Sequence, residues 1–188
     1  MVLAAGAAVL VGVVGPMLRE IIAGASAPPP VSAAATFQST LGGASTLRVY
    51  EGLPHPLFER ELMQREEARL DVVRLGGFPF YSPAIPARLP DELRTGLADP
   101  ASLRPFGGEK LCGGFHPDYA VAWPGPKGEQ TVLICFGCKE IQWLEEGRML
   151  RYDLTPEALA VLKRALAPHA VQRPRPVHKQ GTAESPLG

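Results

Sequence analysis

The chain has no surplus of charge: 19 Lys and Arg stand against 19 Asp and Glu. No global field therefore recruits nucleic acid or an anionic membrane, and no basic stripe does so locally. A glycine-rich phosphate loop and a paired-carboxylate signature are both lacking, so neither phosphoryl chemistry nor two-carboxylate acid–base work has a motif to rest on. Cysteine is scarce, with three residues, Cys112, Cys135 and Cys138. Three cannot all pair within one chain. If Cys135 and Cys138 are oxidised, Cys112 is left over, whereas a metal would use all three.

Proline and glycine are plentiful, twenty of each, and gather at the ends and around one hairpin. Residues Glu109 to Trp143 hold every cysteine, His116, and both tryptophans, Trp123 and Trp143. Tyr119–Trp123 and Thr131–Phe136 read as strands joined by the turn-rich Pro124-Gly-Pro-Lys-Gly128.

The chain divides into four parts. Residues 1–26 are apolar, with no charge before Arg19, and Ala25-Ser26-Ala27 offers a small-residue cleavage site. They read as a secretory signal or a membrane anchor, which predicts an exported protein or one tethered through residues 1–23. The competing reading is a buried N-terminal helix of the domain. Residues 27–46 lack periodicity and read as a Pro/Ala/Ser linker. Residues 47–168 form the folded domain, long enough to bury a core without help from metal or disulfides. Residues 169–188 are basic and proline-rich and read as a disordered tail.

Within the domain, Leu47–Tyr50 and Val72–Leu75 are strand candidates. Pro54-His55-Pro56 precedes a helix over 57–70, with His55 at its start. Phe78-Pro-Phe-Tyr81 is an aromatic patch, read as core or as a lid over the sheet, with ligand stacking as the sharper alternative. Leu93 and Leu97 mark a short helix entered through Pro90-Asp91-Glu92. Arg148–Tyr152 reads as a strand, and Thr155 caps a helix whose Leu159, Leu162 and Leu166 share one face. The fold class this predicts is α+β: a small, mostly antiparallel sheet with a central β-hairpin and two or three packed helices.

The chemistry-bearing pattern is Cys112-x3-His116, then Cys135-x2-Cys138. Two close pairs from two loops of a hairpin suit tetrahedral zinc, so Cys112, His116, Cys135 and Cys138 are the candidate metal ligands. If Trp123 lies opposite Thr131, His116 falls opposite Cys138. Cys112 would then lie about 13 Å from His116 along an extended strand. The chain must double back at Gly113-Gly114 and Pro117, and Gly137 must supply a knuckle that turns both Cys135 and Cys138 inward. Three other readings compete. The cysteines could be small buried residues of the core. Cys135 and Cys138 could form a dithiol or disulfide, although Lys139–Trp143 alternates like a strand and lacks the helix N-terminus of a thioredoxin site. Cys112, His116 and Asp118 could form a nucleophilic set, without an identifiable oxyanion element. Haem attachment needs a histidine at position 139, which is lysine.

Cys-Gly-Gly-Phe-His-Pro-Asp-Tyr-Ala (112–120) with Leu-Ile-Cys-Phe-Gly-Cys (133–138) resembles an uncharacterised family of bacterial, often exported, proteins. The resemblance spans about Leu47 to Pro168. It implies Cys112, His116, Cys135 and Cys138 as shared polar positions and a place in the bacterial envelope, and it names no reaction. The leading expectation is a non-enzymatic, envelope-associated domain with a structural Cys3His zinc site. The alternatives are a thiol–disulfide protein using Cys135 and Cys138, and a ligand-binding module using Phe78, Phe80, Tyr81 and Trp143.

Overall fold

Alternation along the hairpin decides the architecture. Tyr119, Val121 and Trp123 turn into one apolar cluster, while Ala120 and Ala122 turn into another. A strand with apolar side chains on both faces must be covered twice. A computed structural model describes residues 31–69, 71–82, 85–88, 91–145 and 147–174, and in it both covers are found. The chain runs α1 (Val31–Gly42), β1 (Thr46–Glu51), α2 (Arg60–Glu67), β2 (Val72–Leu75), β3 (Phe78–Tyr81), β4 (Ile85–Arg88), α3 (Asp91–Ala98), β5 (Leu103–Pro105), β6 (Tyr119–Gly125), β7 (Gly128–Cys135), β8 (Glu140–Glu145), β9 (Arg148–Leu154) and α4 (Pro156–Leu166). A seven-stranded sheet has the order β4-β1-β6-β7-β8-β9-β5, all antiparallel, so the hairpin is central as expected.

Helices α1, α3 and α4 cover one face through Phe37, Leu41, Leu93, Leu97, Leu162 and Leu166. The β2–β3 ribbon covers the other, where Phe80 packs with Tyr50 and Leu133. The fold is therefore the α+β class predicted, with the 78–81 aromatics as a lid. Helix α4 forms as its caps dictate: Thr155 Oγ1 accepts the Ala158 N–H at 3.2 Å, and Lys163 and Arg164 stand in the last turn.

Three expectations change. Residues 31–42 are a helix, not a linker. Phe37 and Leu41 are fully buried, and the Phe37 ring lies 5.8 Å from Trp123 and 5.3 Å from Trp143. An Ala/Ser-rich segment hides its helicity because only two large side chains mark the buried face; tertiary packing supplies the rest. Second, Trp123 pairs with Gln130 rather than Thr131, because the turn contains only Pro126 and Lys127 between Gly125 and Gly128. A two-residue turn matches strand twist better than the longer loop expected, and Gln130 Oε1 accepts the Trp143 indole N–H at 3.1 Å. Third, the helix expected over 57–70 begins at Arg60. His55 Nδ1 accepts the Leu57 N–H and Glu59 Oε2 accepts the His55 N–H, holding the chain in a turn first.

Residues 169–174, expected within the disordered tail, are placed against the domain, and residues 175–188 lie outside the described residues. Glu51 Oε2 accepts the N–H groups of Val171 and Gln172 at 3.0 and 2.6 Å, which ties residues 171–172 to β1. Residues 1–26, expected as signal or anchor, lie outside the described residues. No helix among the described residues is long and apolar enough to cross a membrane.

Candidate functional site

The loop before β6 doubles back as the sequence requires. Gly113 and Gly114 have φ of 81° and 90°, a left-handed pair that side chains resist. The loop then rests on the end of β1 at Gly52, whose N–H donates to the Asp118 carbonyl at 2.8 Å. A Cβ at Gly52 would stand 2.2 Å from the Pro117 carbonyl oxygen, so only glycine allows this approach. Across from the loop, the turn between β7 and β8 carries Cys135 to Cys138. Its left-handed residue is Lys139, with φ 55°, and not Gly137 as expected. A lysine there costs about 1 kcal/mol of backbone strain.

These two segments bring Cys112 and Cys138 into a disulfide with Cα atoms 5.5 Å apart. Cys135 is the free thiol and is buried. The pairing differs from the Cys135–Cys138 bond of the alternative reading because the Gly-Gly bend delivers Cys112 across the turn. In this oxidised form two of the four candidate metal ligands are bound to each other. Among the described residues, no three His, Cys, Asp or Glu side chains group as a metal site.

Cys112, His116 and Cys135 do line one cavity of about 300 Å³, together with His55, Glu59, Asp118 and Arg173. The His55 and His116 rings lie 4.7 Å apart. Burial pushes His116 down to about 4, helped by the charges of His55 and Arg173, while Glu59 and the Pro54 carbonyl that its ring meets oppose the fall. His55 is lowered by burial too. Its Nδ1 is an acceptor, so the proton of the neutral ring belongs on Nε2, and that buried atom has no hydrogen-bond partner among the described residues. Burial would raise Glu59, but the His55 N–H and the Arg173 guanidinium hold it below its ordinary value. Burial raises Asp118 despite the Phe136 N–H, which donates to Oδ2 at 2.7 Å.

Cys135 is 4% exposed, and burial pushes its thiol up although the backbone N–H groups of Cys138, His116 and Gly137 aim at the sulfur. A protonated, buried thiol is a poor nucleophile. Cys112, His116 and Asp118 share that cavity, but in the oxidised form Cys112 has no free thiol, and Asp118 Oδ2 accepts the Phe136 N–H. Of the four aromatics of the expected platform, Phe80, Tyr81 and Trp143 are fully buried and Phe78 is half-buried.

A second cavity, of about 400 Å³, is lined by both cysteines of the disulfide, Cys112 and Cys138, with Arg104, Lys110, Lys139 and Asp153. Cys112 thus lines both cavities. Sequence reading missed Glu59 and Arg173 as members of the first site. The Pro54-His55-Pro56 break signalled His55, expected at a helix start and found instead in the turn before α2; Arg173 reaches the site only because Glu51 anchors the chain beside it, and it pairs with Glu59 there.

No protein family, no curated protein and no solved structure matches this chain.

Proposed function

We propose that this is a thiol–disulfide protein whose exchangeable pair is Cys112 and Cys138. One observation carries the reading: both cysteines of the disulfide line a cavity, half-buried Cys112 lines a second one as well, and a third, unbonded thiol lies beside the bond at Cys135, whose sulfur accepts the Cys138 N–H at 3.3 Å. A bond that serves only as a brace is better placed away from solvent. Reduction adds two electrons and two protons to the pair, and the partner thiols are oxidised to their own disulfide. A bond of this kind persists outside the reducing cytoplasm, so the reading includes an extracytoplasmic, envelope-associated setting.

The test is equilibration in graded thiol–disulfide buffers, followed by alkylation and mass spectrometry. The expected result is that Cys112 and Cys138 titrate together above about −300 mV while Cys135 reacts only after unfolding. A bond that stays closed well below that potential would leave a brace and nothing more.

A second reading has its own observation. The backbone N–H groups aimed at Cys135 Sγ are what a thiolate wants, and the Pro54 carbonyl beside His116 fixes a ring kept neutral by burial. In the reduced protein, Cys112, His116, Cys135 and Cys138 would then hold zinc with all four positions filled, a structural role. Elemental analysis of reduced protein decides this: about one zinc per chain, released on oxidation, supports it.

A further inference from the structure

The cavity lined by both Cys112 and Cys138 carries three cationic side chains, Arg104, Lys110 and Lys139, against one carboxylate, Asp153. Lys110 donates to Asp153 Oδ2 at 2.8 Å, and the Gly107 N–H donates to the same oxygen, so that carboxylate is matched within the protein. The other Asp153 oxygen is buried and does not face the cavity solvent. Arg104 and Lys139 line the same cavity, are exposed, and have no ion-pair partner among the described residues. Two uncompensated cations therefore flank a disulfide. The backbone holds Lys139 at this position in a left-handed conformation that a lysine adopts at a cost.

We propose that this cleft selects small thiols carrying carboxylates as the reductants of the Cys112–Cys138 disulfide. The inference rests on the exchange reading and adds the substrate class to it. The carboxylates are held by Arg104 and Lys139, and the thiolate is delivered to Cys112, the more accessible sulfur; Cys138 is 4% exposed. The incoming thiolate attacks Cys112 Sγ. A new sulfur–sulfur bond forms, the Cys112–Cys138 bond breaks, and the electron pair leaves on Cys138 Sγ, which takes up a proton from solvent. A second molecule of the same thiol attacks its own kind in the mixed disulfide. It departs as the small-molecule disulfide and leaves Cys112 as a thiolate that is then protonated. Two small thiols are oxidised, and one protein disulfide is reduced. The cations act twice: they raise the local concentration of an anionic reagent, and they stabilise the thiolates formed at the cleft.

The experiment measures reduction rates of the oxidised full chain with mercaptopropionate, mercaptoethanol and cysteamine, which are anionic, neutral and cationic. Free thiols are counted before the start. The expected result is a preference for mercaptopropionate over mercaptoethanol that falls about tenfold in the double variant Arg104→Gln, Lys139→Gln. Cysteamine should move in the opposite direction. If the double variant is poorly folded, the wild-type preference should still collapse as salt rises towards about 0.5 M. A preference that neither the variant nor salt alters would overturn the charged cleft while leaving exchange intact. Three free thiols at the outset, or a bond that none of the reagents opens, would overturn the exchange reading and the cleft with it.

Discussion

The imidazole rings of His55 and His116 stand 4.7 Å apart, tilted by 43°, in a cavity that Arg173 also lines. Burial is the first obstacle to a proton on either ring; on His116 the charge of His55 opposes it next, whereas on His55 the Glu59 carboxylate favours it.

That relationship fixes a pH dependence. Both folded-state values are below the ordinary 6.5, so the unfolded chain takes up protons first as pH falls. The stability contributed by the neutral rings is complete above pH 6.5 and is lost progressively towards about 4, where His116 itself titrates. Asp118, raised by burial, acts in the opposite sense at the acid end, since the folded state then binds its proton more readily. His116→Gln should remove about 1–2 kcal/mol of this slope, read from urea midpoints across the window. A His116 ring that titrates near 6.5 by NMR would refute the prediction.

The covalent link should stabilise the fold mainly through the unfolded chain. Cys112 and Cys138 are separated by 26 positions, and closing a loop of that size is worth about 3.5 kcal/mol in the chain-entropy description. Cys112→Ser and Cys138→Ser should lower the denaturation midpoint alike, as should reduction of the wild type. Equal midpoints for oxidised and reduced protein would show that the link does not constrain the unfolded ensemble.

Helix α1 belongs to the core, and Phe37 is the residue to test. Its side chain is fully buried against both tryptophans. Phe37→Ala should cost about 3–5 kcal/mol and shift the tryptophan emission to the red. A flexible linker would tolerate the change without loss, so wild-type stability in the variant would detach α1 from the domain.

How much of this was legible in the sequence depends on the distance over which each feature is encoded. Thr155, Pro156 and the Lys163-Arg164 pair encode α4 within one turn of its ends, and the helix forms where they put it. The hairpin strands and their central place follow from short alternating runs. The register did not follow, because Pro124, Gly125, Pro126 and Gly128 offer more than one turn, and the choice is supported by Gln130 meeting the Trp143 indole across the sheet. At the site, Gly113 and Gly114 foretold the bend, and with it the meeting of Cys112, His116 and the Cys135–Cys138 turn. Which cysteine bonds to which was not legible, since spacing alone favours neighbours. Glu59 and Arg173 were invisible because their pairing depends on a tail held by Glu51.

Between the two bonded cysteines runs the β6–β7 hairpin, whose ladder already holds Tyr119 beside Ile134. The 26-position ring therefore encloses a smaller one that backbone hydrogen bonds close on their own. Opening the outer ring leaves the inner one shut. The native protein would then lose one hold on the loop that starts at Cys112, whose far end stays gripped at Asp118 by Gly52 and Phe136, while the penalty for the missing link falls on a state that is scarcely populated. A bond can thus weigh heavily on how firmly a chain is folded and hardly at all on the shape it keeps, which lets this one be opened and remade without unravelling the sheet around it.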